Sequence, residues 1–313
     1  MEKIAVIGAG LIGRAWAMVF ARAGHEVCLF DSAPGAVEQA LQLIGEGLAE
    51  TKKFGLIDED PAVIARRVRA GATLQSAVAD ADYVQENTSE REEVKREVFS
   101  AMDAAAKPSC ILASSTSTIQ TSRFAGHVPG RHRCLVAHPV NPPHVVPIVE
   151  LSPAPFTSPE VVERTRQLHE RVGQVPILVK KEIEGFILNR LQAALLLEAW
   201  HLVDAGYVSV EDLDKTIRDG LGLRWAFMGP FETIDLNAPD GVADYAKRYG
   251  PKMHAMMAGS QYRPWEGDLV EKVEEERRAL MPQAQHAERE AWRDRRLMAL
   301  VAHKRAMTEK DNG

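Results

Sequence analysis

Residues 3–13 read KIAVIGAGLIG, and residues 26–31 read EVCLFD. Lys3 to Ile7 is a strand signal that runs straight into Gly8, Gly10 and Gly13, spaced G-x-G-x-x-G where a helix should open. Each glycine has its own task. Gly8 permits the tight turn, Gly10 lets the backbone approach a pyrophosphate, and Gly13 lets helix pack on strand. The N–H groups of Leu11 and Ile12 then open the helix, where unpaired donors and the positive dipole end favour an anion. The second run ends in Asp31, placed to accept from both ribose hydroxyls. An acid there repels a 2′-phosphate, and the following Ser-Ala-Pro offers no arginine, so NAD is expected rather than NADP.

Further along, short β-rich runs alternate with helical segments: Tyr83 to Glu86, Cys110 to Ala113, Cys134 to Ala137 and Val175 to Val179. Alternation of this kind predicts a doubly wound, mostly parallel sheet of Rossmann type. Between the second and third runs, Pro34 to Ala70 reads as a helical hairpin broken at Gly55 to Asp60. After Val179 the periodicity turns helical, with Phe186, Ile187, Leu191, Leu195 and Val203 at helical spacing. Gly206 reads as that helix's stop, and Ser209 with Asp212 as the cap of the next. The expected organisation is an NAD-binding domain over residues 1–181 and an all-helical domain for substrate binding and dimerisation over 182–313. In the tail, Trp292, Leu297, Leu300 and Val301 give an amphipathic helix, either docked or at a subunit contact.

Composition narrows the function classes. A chain of 313 residues is expected to form about two domains. With 45% hydrophobic and 26% charged residues it has core material enough to argue against global disorder. A net charge of -6 without a dense Lys/Arg block lacks the footprint of a nucleic-acid binder. The first apolar run is a strand, and no apolar stretch reaches about 18 residues, which argues against a signal peptide or membrane span and for a cytoplasmic enzyme. Cys28, Cys110 and Cys134 lie far apart beside apolar runs, the pattern of reduced core thiols. Neither CxxC nor HExxH occurs, so no metal site is expected.

Residues 134–151, CLVAHPVNPPHVVPIVEL, put His138 at the end of one β-run and Glu150 inside the next. Ligands of open α/β sheets sit at such strand ends. Imidazole titrates close enough to neutrality to take a hydroxyl proton, and a carboxylate can orient the ring and stabilise its cation. On spacing alone a structural His beside a surface Glu is equally open. His144 is the nearest competitor, in a proline-rich loop; His25, His127 and His169 have no partner indicated.

The ordered set GAGLIG, Asp31, QENTSEREEVK (85–95), SSTST (114–118), HPVNPPH with Glu150, and EGFILNR (184–190) resembles the L-3-hydroxyacyl-CoA dehydrogenase family. The resemblance spans residues 1 to about 240. It implies an NAD-dependent dehydrogenase of a 3-hydroxy substrate, with His138 as general base and Glu150 as its partner. It further implies Ser117 and Asn189 at the reacting oxygen and catalytic His, and Glu90 and Lys95 on the nicotinamide side. By residue type alone, Glu90 and Lys95 are equally a solvated pair at a helix head.

The C-terminal half, including GLGLRWAFMGPFETIDLNA (220–238) and AWRDRRLMAL (291–300), resembles a branch of that family whose substrate is a free sugar acid. An L-gulonate-like acid presents a carboxylate where an acyl-CoA presents an uncharged thioester, and Arg224 is the candidate cation to meet it. Structural or inter-subunit use of Arg224 stays open. So do an acyl-CoA substrate, whose phosphates would meet Lys52 and Lys53, a carnitine-type substrate, and NAD binding in a purely structural role. Homodimerisation through the helical domain is what the family resemblance implies.

Overall fold

The computed structural model describes residues 1–258, 260 and 262–311, the side chains at 309 and 311 excepted. Strand β1 (Lys3–Ile7) leads into helix α1 (Leu11–Arg22), and β2 (Glu26–Phe30) returns beside β1 in parallel. Helices α2 (Ala36–Lys53) and α3 (Pro61–Ala65) follow, with Asp60 capping α3 through the N–H of Ala62. The expected hairpin ends differently. Val68–Ala70 is strand β3, pairing Val68 with Val27 of β2, because a buried β-branched residue there extends the sheet.

Next come α4 (Leu74–Val78), β4 (Tyr83–Glu86), α5 (Glu92–Ala105), β5 (Ile111–Ser114), α6 (Thr121–Ala125), β6 (Cys134–Pro139), β7 (Ile148–Pro153), α7 (Pro159–Arg171) and β8 (Val175–Leu178). The strand order is β3-β2-β1-β4-β5-β6-β7-β8. All neighbours are parallel except β6 and β7, which the short connection 140–147 allows to run antiparallel. The order reverses between β1 and β4, and such a switch point opens a crevice at the carboxyl ends of the strands. Apolar residues cover both faces. Trp16, Phe20, Leu29, Ile44 and Leu48 pack on one, and Ile7, Val84, Phe99, Leu112 and Phe124 on the other. Sheets buried on both faces read as continuous apolar runs, which is why these strands were legible.

Helix α8 (Leu188–Asp204) starts later than its periodicity predicts. Gly185 (φ 73°) and Phe186 (φ 49°) both adopt left-handed backbone, turning the chain sharply before Leu188. Then follow α9 (Val210–Lys215), α10 (Gly222–Trp225), α11 (Pro230–Leu236), α12 (Gly241–Ala258), α13 (Asp268–Leu280) and α14 (His286–Asp311). Gly206 (φ 75°) ends α8, and Ser209 caps α9 through the N–H of Asp212.

The described residues group into two compact units, one from the stretches 1–189 and 290–311, the other from within 190–289. The second unit is helical, with Trp200 stacked on Trp265 and Arg263 paired to Asp204. Residues 182–189 and 290–311, expected with the helical domain, group with the sheet instead. Helix α14 seats Met298 and Val301 against Leu56 and Val145, so the amphipathic tail is docked on the unit that holds the sheet.

Candidate active site

Around the first turn, the three glycines differ in what surrounds them. A Cβ on Gly8 (φ 95°) would lie 2.6 Å from the carbonyl oxygen of Asn87, and one on Gly13 only 1.8 Å from that of Gly8. Helix α1 therefore approaches β1 more closely than any side chain permits. Gly10, the residue before Leu11 and Ile12 at the start of α1, has no protein atom within 4 Å of a Cβ position. Open space in front of unpaired helix N–H groups fits a pyrophosphate. Asp31 stands at the end of β2 and accepts from the N–H of Ala9 (2.7 Å) and of Ala33 (2.9 Å). A carboxylate has about four acceptor positions, so two remain for ribose hydroxyls.

Glu90 and Lys95 are not a solvated pair. Lys95, on α5, is 1% exposed, and its Nζ lies 3.1 Å from both carboxylate oxygens of the buried Glu86 and 3.7 Å from Glu90. Glu86 also accepts from Thr88 and from the hydroxyl of Ser114. Glu90 reaches the next strand end, accepting from the hydroxyl of Thr116 (2.6 Å) and the N–H groups of Ser117 (2.9 Å) and Thr118 (3.1 Å). Burial pushes the Glu90 carboxyl up, but Thr116, Lys95 and those N–H groups outweigh it and hold it below its ordinary value. Ser117 is thus clamped on one side by Glu90. On the other its carbonyl accepts from the amide of Asn189 (2.7 Å).

The antiparallel register sets His138 directly opposite Glu150. His138 Nδ1 lies 2.8 Å from Glu150 Oε2, and Glu150 Oε1 accepts from the N–H groups of Ile187 and Leu188, both at 2.9 Å. Burial pushes Glu150 up; the His138 bond and the two backbone donors prevail and leave it lowered. As a carboxylate it can only accept, so Nδ1 carries the ring proton and Nε2 keeps its lone pair. That is the tautomer a general base requires. The left-handed turn at 185–186 delivers both N–H groups to Glu150, and the buried Phe186 ring packs 5.4 Å from the His138 ring. Local backbone strain at this position is tied to holding the carboxylate.

A buried polar chain links these parts, and sequence reasoning missed it. The amide of Gln85 donates to the carbonyl of Ala137, next to His138, at 3.2 Å and to the hydroxyl of Ser115 at 2.7 Å. Ser115 also accepts from the Trp16 indole (3.0 Å) and donates to Asn87 (2.7 Å), whose backbone abuts Gly8. Gln85 in turn accepts from Tyr83, whose hydroxyl is 3.0 Å from His169 Nε2. His169 is fully buried, and burial pulls it down to about 3, so the ring is neutral. The histidines for which the sequence indicated no partner have one: His25 accepts from the N–H of Glu2, and His127 bonds Ser100. His144 is pulled down to about 4 by burial and by Arg22. Glu86 had a faint signal, an acid closing an apolar strand nine residues before Lys95; Gln85 and Phe186 had none beyond the strand and the preceding glycine.

The remaining candidates lie on other elements. Arg224 is exposed on α10 in the second unit. Lys52 and Lys53 bond locally, to Asp58 and Glu50. Cys28, Cys110 and Cys134 are free thiols, and among the described residues no His/Cys/Asp/Glu group could hold a metal ion. No described helix is long and apolar enough to cross a membrane.

Residues 3–183 match the 3-hydroxyacyl-CoA dehydrogenase NAD binding domain, and residues 185–280 match the C-terminal domain of the same family. The chain belongs to the 3-hydroxyacyl-CoA dehydrogenase family. It is an NAD-dependent oxidoreductase of that family. Over 311 residues it is 42% identical to a lambda-crystallin homolog of Bos taurus, covering 98% of this chain and 97% of that one. An L-carnitine dehydrogenase of Pseudomonas sp is 33% identical over 302 residues, with 96% and 93% covered. Among solved structures, 5-formyl-3-hydroxy-2-methylpyridine 4-carboxylic acid 5-dehydrogenase, described as an NAD+ dependent dismutase, superposes with a TM-score of 0.83 at 28% identity, covering 98% of this chain and 99% of that one.

Proposed function

We propose that the enzyme oxidises the 3-hydroxyl of a small, free hydroxy acid resembling L-gulonate to the 3-oxo acid. The observation that carries the chemistry is the His138–Glu150 pair, whose hydrogen bond leaves Nε2 as the free base. NAD, when bound, supplies the hydride acceptor. His138 Nε2 takes the hydroxyl proton as the carbon–oxygen bond becomes a carbonyl, and Glu150 stabilises the imidazolium that results. The Ser117 hydroxyl, which donates to Glu90 at 3.2 Å, turns from that carboxylate to the reacting oxygen in this reading; Asn189 keeps its second N–H for the same purpose. Neutral donors steady the developing carbonyl without changing the proton count.

Gly8, Gly10, Gly13, the Leu11 and Ile12 N–H groups and Asp31 hold the dinucleotide in this reading. Glu90 and Lys95 form the wall behind its reactive end. Near-full-length similarity to an L-carnitine dehydrogenase, an enzyme named for a free hydroxy acid, supports a free acid over an acyl-CoA, and the engaged Lys52 and Lys53 offer little to CoA phosphates. Substrate recognition falls to the helical part, with Arg224 meeting the carboxylate. In the second unit Leu191, 63% exposed, and Leu195 one turn on share a face of α8, and this exposed apolar pair supports a homodimer.

The test is NADH absorbance with L-gulonate, 3-hydroxybutyrate, carnitine and 3-hydroxybutyryl-CoA. The proposal expects L-gulonate to give the highest kcat/KM. Turnover of the CoA ester without turnover of L-gulonate would refute the substrate assignment. Arg224→Gln should raise KM for L-gulonate with little change for an uncharged 3-hydroxy ester.

A further inference from the structure

A cavity of about 710 Å³ lies in the first unit where α14 crosses the end of α1 and the starts of β7 and β8. Arg22 and Arg305 both line it. Arg22 donates to the carbonyl of His144 (2.7 Å) and Arg305 to that of Leu56 (3.0 Å). Among the described side chains, neither guanidinium meets a carboxylate; Asp294, whose charge reaches His144 from α14, is bonded to Arg293. Burial and the neighbouring Arg305 pull Arg22 down to about 10. Two guanidinium groups therefore share a recess in which their charges oppose each other, a cost that a bound anion relieves.

Gly173, Lys304 and Thr308 complete the lining beside an apolar stretch of wall made by Val145, Pro147, Val175 and Val301. A small inorganic anion would leave them uncovered. The recess also depends on α14, which lies beyond residue 280, where the match to the family's C-terminal domain ends. None of the residues assigned to catalysis lines it. We propose that it binds an amphiphilic organic anion, with a carboxylate or phosphate head between Arg22 and Arg305 and an apolar body along Val145, Pro147, Val175 and Val301.

Isothermal titration of the full chain, saturated with NAD, against octanoate, octyl phosphate, octyl glucoside and sulfate tests this. Octanoate or octyl phosphate should bind once per chain, at least about tenfold tighter than octyl glucoside or sulfate. Whichever of the two binds tighter identifies the head group. Arg305→Gln, at an exposed position, should weaken binding about tenfold, the loss of one charge-assisted contact. Thr308→Trp, which fills the mouth of the cavity from an exposed position, should abolish it. His138→Ala should leave it unchanged. Equal binding of octyl glucoside, full binding by both Arg305→Gln and Thr308→Trp, or loss of binding in His138→Ala would each overturn the proposal.

Discussion

At the β1 turn the chain prepares its site with backbone, whereas at the β6–β7 pair it does so with side chains. Gly8 and Gly13 are excluded from carrying a Cβ by the carbonyl oxygens of Asn87 and of Gly8, so the turn's shape is a steric consequence of backbone against backbone. His138 and Glu150 instead depend on partners from three places: the facing strand, the turn at 185–188 and the buried Gln85 beside Ala137. The first site is set by backbone approach and should tolerate most side-chain changes elsewhere. The second is assembled, and should fail when any of several remote groups is altered.

The largest effect expected from that difference is on turnover. His138→Ala should lower kcat by about 10²–10⁴-fold while leaving the NAD dissociation constant unchanged. Steady-state kinetics beside fluorescence titration of NAD would separate the two sites, and a parallel loss of NAD affinity would break the distinction. Lys95→Met comes next. It strands the buried Glu86 carboxylate without its cation and should cost about 3–5 kcal/mol in urea unfolding. A surface pair would cost under about 1 kcal/mol.

Gly10→Ala probes the other end. Nothing in the protein crowds that position, so the melting temperature should hold while NAD binding weakens by about 1–3 kcal/mol from overpacking against the ligand. Gly13→Ala, by contrast, should fail to fold. The smallest effect is chemical silence. Burial pushes Cys110 and Cys134 up to about 12, so neither thiol should react with Ellman's reagent at pH 8 until the protein is unfolded.

Legibility in the sequence followed the same division. The GAGLIG turn, Asp31 and the strands around them could be read because each is a short stretch whose spacing has a steric meaning. Strand β3 was read as helix because three residues at a sheet edge carry almost no period. His138 and Glu150 stood out by residue type and strand position, yet spacing could not say that they face each other; the antiparallel register does. By residue type Lys95 could also be a surface charge, because the acid closing β4 announces only faintly that Glu86 lies beneath it. Gln85, Ser115 and Phe186 act through contacts 30 or more residues away along the chain, and such contacts leave no periodic trace.

The proposed pairing of His138 with Glu150 is tested most directly by the kcat of Glu150→Gln for NAD-dependent oxidation of L-gulonate. The amide oxygen can still accept from Ile187 and Leu188, but the amide nitrogen facing His138 Nδ1 is a donor. The ring must then present Nε2–H to the substrate and can no longer take a proton. Turnover should fall about 10³-fold or more, as when a triad carboxylate is replaced by its amide, with NAD binding and melting temperature close to wild type. Combining it with His138→Ala should add little. A Glu150→Gln enzyme that keeps near-normal kcat would contradict the account.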